Sequence, residues 1–140
     1  MIVNVNEHLN TLNKVTDFVY NQMLDTEEFR KFVNAINDLS DRYICTKNMM
    51  LEEEDEYDIW HQLDVKANGY LNDMSVAWYR LNLRLCSILV ENSEFTDRSD
   101  FMGLDTEDEL FIVKRIMTRI IDLFDGNSKE VTEQILFEKN

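Results

Sequence analysis

The sequence predicts an all-α protein: a compact bundle of five or six helices, with one long helix spanning about residues 57–91. Three observations predict it. Apolar residues recur at three- and four-residue spacings along most of the chain, and no segment alternates with a period of two. Side chains suited to helix capping stand just ahead of several of these stripes. Proline is absent, so only glycines and polar clusters interrupt a helix.

The first stripe is Val5, Leu9, Leu12, Val15, Val19 and Met23, one face of an amphipathic helix. Asp25 then stands three residues before Glu28, in the manner of a capping box. Phe29, Phe32, Val33, Ile36, Leu39 and Tyr43 follow, so a second helix is expected to reach about Lys47. The short join predicts that it packs antiparallel on the first. After Met49-Met50-Leu51 comes an acidic run, Glu52 to Glu56, with Asp58 just beyond.

The longest pattern is Ile59, Leu63, Ala67, Tyr70, Met74, Ala77, Leu81, Leu85 and Ile88. Asn68-Gly69 interrupts it and could divide it into two helices. The phase does not slip across Gly69, which favours a single helix of roughly 50 Å at 1.5 Å per residue; an internal glycine costs only about 1 kcal/mol. Glu91 to Asp105 is predicted to be a loop, tied down by Phe95, Phe101 and Met102. Thr106 and Glu109 form a second capping-box pattern, with three acids in the first turn, where the helix dipole favours them. Leu110, Val113, Met117, Ile120 and Phe124 make the stripe and Gly126 the expected stop. Asn127 and Glu130 then start a short last helix carrying Val131, Ile135 and Leu136.

At 140 residues, with 44% hydrophobic and 30% charged side chains, the chain predicts one helical domain over residues 1–140 with an adequate core. No apolar stretch approaches the ~18 residues of a membrane span. The first residues carry neither a basic region nor an apolar run, so a cytoplasmic location is expected, in a bacterial or a host cell. Cys45 and Cys86 are too few for a disulfide framework or a cysteine-rich zinc site. Beside Ile44 and Leu85 they read as buried thiols. The net charge of −14 opposes direct contact with nucleic acid or an anionic membrane and suits a basic protein partner. Glycine, alanine and proline supply only six residues while asparagine supplies fourteen, which suggests an AT-rich source genome, such as that of a low-GC bacterium, a phage or certain viruses.

Glu52, Glu53 and Glu56 resemble the first half of the Glu-Glu-x-x-Glu motif of helical nucleotide pyrophosphohydrolases, where converging carboxylates hold magnesium. That family's second half, Glu-x-x-Asp, has one counterpart here, Glu94 to Asp97, inside the expected loop. Asp58, His61 and Asp64 share a helix face with Glu54 one turn earlier, and a carboxylate three residues before a histidine resembles half of a ferritin-like di-metal site. His8 has Val5 at the matching position, so the second half is missing and His61 reads as a surface residue. Three isolated glycines exclude a glycine-rich phosphate loop, and no local motif joins Cys86 to His61 as a nucleophile and base. Cations gather at Arg80 and Arg84, beside Trp78 and Tyr79, and at Lys114, Arg115 and Arg119; in a chain with 28 acids they are expected to pair with neighbours. Trp60, Leu71, Val76, Trp78, Leu83 and Leu89 lie off the main stripe of the long helix. That helix is therefore central to the bundle or shared with a partner, including a second copy.

The half-motifs favour binding over chemistry. The expectation is a non-catalytic acidic interaction module that uses no cofactor. In a phage or viral setting it could be an inhibitor presenting carboxylates where a basic protein expects phosphates. The expected contact residues are Glu52, Glu53, Glu54, Asp55, Glu56 and Asp58, with Glu107, Asp108 and Glu109. The alternatives are a magnesium-dependent nucleotide pyrophosphohydrolase and an adaptor whose apolar groove accepts a partner's helix.

Overall fold

The computed structural model describes residues 5–95, without the Phe95 side chain, and residues 98–137. The described residues fold into five α-helices: α1 (Val5–Leu24), α2 (Glu27–Glu52), α3 (Tyr57–Phe95), α4 (Thr106–Ile121) and α5 (Gly126–Phe137). A single 3₁₀ turn, Ser99–Phe101, precedes α4, and the described residues contain no strand. None of their helices is long and apolar enough to cross a membrane.

The 39 residues of α3 run unbroken through Gly69, about 58 Å at 1.5 Å per residue. The stripe that holds phase across the glycine decides this, because it buries Ala67 and Met74 on either side. The helix continues to Phe95, into what the polar sequence suggested was loop; Thr96 and Asp97 lie outside the described residues.

Helix α2 reaches Glu52, five residues past the expected end, because Thr46 and Met50 continue its buried face. It pairs most extensively with α3, not with α1. The physical reason is length: α2 and α3 are the two longest helices, and a four-residue turn lets their stripes zip together as an antiparallel hairpin. Phe32 meets Trp78 edge-on at 4.7 Å, and Phe124 completes the aromatic cluster at 6.1 and 6.5 Å. Helix α5 packs on α2, where Ser128 Oγ donates to Asn37 Oδ1 at 2.7 Å. Helix α1 lies along α4 in the same direction: His8 meets Asp108, Asn13 meets Arg115, and Asp17 meets Arg119.

The helix starts differ from expectation by one residue. Thr26, not Asp25, caps α2, its hydroxyl accepting from Phe29 N at 3.2 Å. Asp105, not Thr106, caps α4, with Asp108 completing the box. Gly126 opens α5 at φ +53° instead of closing α4, which stops at Ile121. Val5, Leu9, Ile59 and Leu110, the opening residues of their stripes, are exposed. Phe101 is buried against Phe18, whereas Met102 is exposed and ties nothing down.

Candidate functional site

The hairpin that builds the core also carries the acidic run at its tip. Glu52 is the last residue of α2 and Glu53 its C-cap, the Glu53 N–H donating to Met50 O at 3.2 Å. Glu56 N then donates to Glu53 O at 3.1 Å, closing a turn with Glu54 and Asp55 at its apex. Trp60 N donates to Glu56 O at 2.9 Å and starts α3. Thus the six carboxylates from 52 to 58 are spread around a tight turn. Only Glu53 is half-buried; the other five are exposed.

None of these six carboxylates has a cation within ion-pair distance among the described residues. The last turn of α2 holds no basic residue, so Glu52 faces the negative end of a helix dipole without relief. Glu56 and Asp58, at the start of α3, face the favourable end. Apolar side chains flank the charge: Leu51 is 68% and Tyr57 70% exposed, with Met49 and Ile59 beside them. Tyr57 stacks on His61, their ring centroids 5.8 Å apart. A tip of unneutralised carboxylates rimmed by exposed apolar groups has the chemistry of a contact surface.

The second predicted cluster is elsewhere. Glu109 faces Cys86, 29 residues along α3 from Tyr57, which places the two clusters about 40 Å apart. Glu107 and Glu109 are exposed, but Asp108 is committed to the fold. Its Oδ2 accepts from Asp105 N at 3.2 Å and its Oδ1 meets His8 Nε2 at 3.0 Å. Burial acts to raise the Asp108 pKa, but the bonds from the Asp105 backbone and His8 outweigh it and hold the carboxyl below its ordinary range.

The half-motifs stay apart. The Glu-Glu-x-x-Glu residues straddle the end of α2 and the turn, so no single helix face presents them. Asp97 lies outside the described residues, so its pairing with Glu94 is not described. Among the described residues no three His, Cys, Asp or Glu side chains are grouped to hold a metal ion, Asp58, His61 and Asp64 included.

Both cysteines are exposed, against the expectation of buried thiols. Adjacency to Ile44 and Leu85 misleads, because each step along a helix turns the side chain by about 100°. Partial desolvation and the Glu109 carboxylate push the Cys86 thiol up, away from the reactive thiolate. Arg119 pairs with Asp17 at 2.7 Å and Arg115 donates to Asn13 at 2.6 Å, so these cations tie α4 to α1. Arg80 and Arg84 line a cavity of about 310 Å³ floored by Phe32, Ala35, Ala77 and Leu81.

Set against protein-family models, curated proteins and solved structures, the chain matches none.

Proposed function

We propose that this protein is a non-catalytic, acidic interaction module whose α2–α3 tip docks on a basic protein surface. The supporting observation is the set of six carboxylates between Glu52 and Asp58 with no cation paired to any of them among the described residues. The members of such a cluster repel one another, and the dipole of α3 offsets that only at Glu56 and Asp58. A partner rich in arginine and lysine relieves that repulsion, and the exposed Leu51, Tyr57 and Ile59 add apolar contact at its rim. In its most specific form, the tip is an inhibitor's surrogate for a short row of phosphates. The cluster at 107–109 is too distant to extend that row and forms a separate, weaker contact surface.

The test uses labelled arginine- and lysine-rich peptides interspersed with leucine and tyrosine, followed by fluorescence anisotropy at low and high salt. Wild type is compared with a tip variant carrying Glu52→Gln, Glu53→Gln, Glu54→Gln, Asp55→Asn, Glu56→Gln and Asp58→Asn. The control carries Glu107→Gln and Glu109→Gln. The expected result is salt-sensitive binding by wild type and control, weakened at least tenfold in the tip variant. Equal affinity in all three proteins, or binding indifferent to salt, refutes the proposal.

A further inference from the structure

Helix α3 is apolar on two opposite faces. One face is buried: Ala67, Met74, Trp78, Leu81, Leu85 and Ile88. The other repeats the same spacing two residues earlier, at Val65, Gly69, Asn72, Val76, Tyr79, Leu83, Cys86 and Val90. Two residues turn a helix by about 200°, so this second stripe points away from the core. All eight of these residues are exposed, Tyr79 at 62% and Leu83 at 51%. The intervals are four, three, four, three, four, three and four without a break, the repeat of a coiled-coil seam. No helix of the described chain covers it. Of the off-stripe residues noted in the sequence, Trp78 and Leu89 are buried, but Val76 and Leu83 are not.

The charges beside the seam identify what does. Between residues 65 and 90 there is one acid, Asp73, against three bases, Lys66, Arg80 and Arg84. In a chain of net charge −14 this stretch is one of low charge, so a copy of itself meets none of the repulsion that the acidic runs would impose. Asp73 and Arg80 flank the seam on one side, exposed, and neither makes an ion pair among the described residues. We infer that the seam is covered by α3 of a second copy, antiparallel, about a two-fold axis passing between Ala77 and Trp78.

In that register Val76 packs on Tyr79 of the second copy, Asn72 on Leu83, Gly69 on Cys86 and Val65 on Val90. The same register sets Asp73 opposite Arg80 of the second copy, and by symmetry this occurs twice. A slip of one heptad either way opposes Arg80 to Arg80 or Asp73 to Asp73. A parallel pair sets Arg80 against Ser75 and Asp73 against Asn68 and makes neither ion pair. The charges therefore select one register. Glu109, which faces Cys86 from α4, lies at the edge of this surface and is outside the ion pairs.

Sedimentation equilibrium on the intact chain over a wide concentration range tests the assembly. The expected result is a dimer, with Leu83→Glu and Asp73→Arg each weakening association at least tenfold at unchanged helical circular dichroism. Adding Arg80→Asp to Asp73→Arg restores the opposed charges and recovers the dimer. The register is tested in a Cys45→Ser background: Gly69→Cys is expected to form a disulfide-linked dimer with Cys86 under mild oxidation, and Cys86→Ser is expected to abolish it. A wild-type protein that stays monomeric to about 100 μM, a dimer indifferent to the charge swap, or a Cys86–Cys86 cross-link in wild type overturns the inference.

Discussion

Truncating Asp108 to Ala removes two bonds at the start of α4 and leaves a third. Lost are the acceptor for Asp105 N, at 3.2 Å, and the contact with His8, at 3.0 Å. Retained is the cap itself, in which Asp105 Oδ1 accepts from Asp108 N at 2.9 Å. Capping interactions of this kind are worth about 1 kcal/mol. The His8 pair adds less: its side chains are 47% and 14% exposed, so solvent screens it and about 0.2–1 kcal/mol is appropriate. The sum is about 1–2 kcal/mol. Asp105→Ala is expected to lose a similar amount, and the double variant less than the two together, because they share the box.

The pH dependence follows in sign. The folded-state pKa of Asp108 is lowered, so its contribution is fully present above the unfolded-state value of about 4 and fades as pH falls through the lower folded value. Urea unfolding followed by circular dichroism at pH 7 and pH 2 checks both statements. At a slope of about 2 kcal/mol per molar urea, Asp108→Ala shifts the midpoint down by roughly 0.5–1 M at pH 7. At pH 2 the gap narrows. A shift at pH 7 indistinguishable from zero, or one that grows on acidification, refutes the reasoning.

Thr132 is fully buried and its hydroxyl has no hydrogen-bond partner among the described residues, so the near-isosteric Thr132→Val is expected to stabilise by about 1 kcal/mol, read as a higher urea midpoint. Gly69 sits mid-helix with nothing within 4 Å of an added Cβ. Gly69→Ala should therefore raise stability by up to about 1 kcal/mol, and a loss on the same assay contradicts a continuous α3. Ile116 is fully buried in the core, and Ile116→Ala should destabilise by about 2–5 kcal/mol, with a lower melting temperature as the readout.

Helix identity was legible because burial in a bundle repeats every three or four residues, and that repeat survives in the sequence alone. Phase read through Gly69 outweighed the residue's local preference, and one long helix resulted. What was not legible depends on which helix meets which. Leu110 and Ile59 continue their stripes by spacing but are exposed, and only the tertiary arrangement shows it. The cap at Asp105 was misplaced because Thr106 and Glu109 satisfy the same pattern one residue later. The partner of α2 was misassigned for a related reason: a short connection permits a hairpin without requiring one. The acidic tip itself was readable, but its unpaired state was not, since ion pairing depends on cations brought from distant sequence. Likewise Val76 and Leu83 could be flagged as lying off the main stripe, while their continuity with Val65, Tyr79 and Val90 emerges only once the buried face is known.

The two surfaces constrain each other. Each hairpin tip lies about 23 residues before the proposed axis, roughly 34 Å along α3. An antiparallel pair therefore holds its two tips about 70 Å apart, many times the ~8 Å over which exposed charges act in physiological salt. A parallel pair would bring twelve carboxylates together at one end, six from each chain, and their repulsion would oppose the seam. Unneutralised tips and a self-complementary α3 are thus compatible in only one orientation, the one that Asp73 and Arg80 also select. The resulting dimer presents two equivalent acidic tips at opposite ends of a stiff rod. It suits a partner that is itself repeated or two-fold, because a rigid span pre-sets the second contact once the first is made. Disrupting the seam by Leu83→Glu should then weaken binding to a surface densely coated with the basic peptide while leaving the affinity for the free peptide unchanged. Equal losses in both formats would mean that the seam and the tip are not independent.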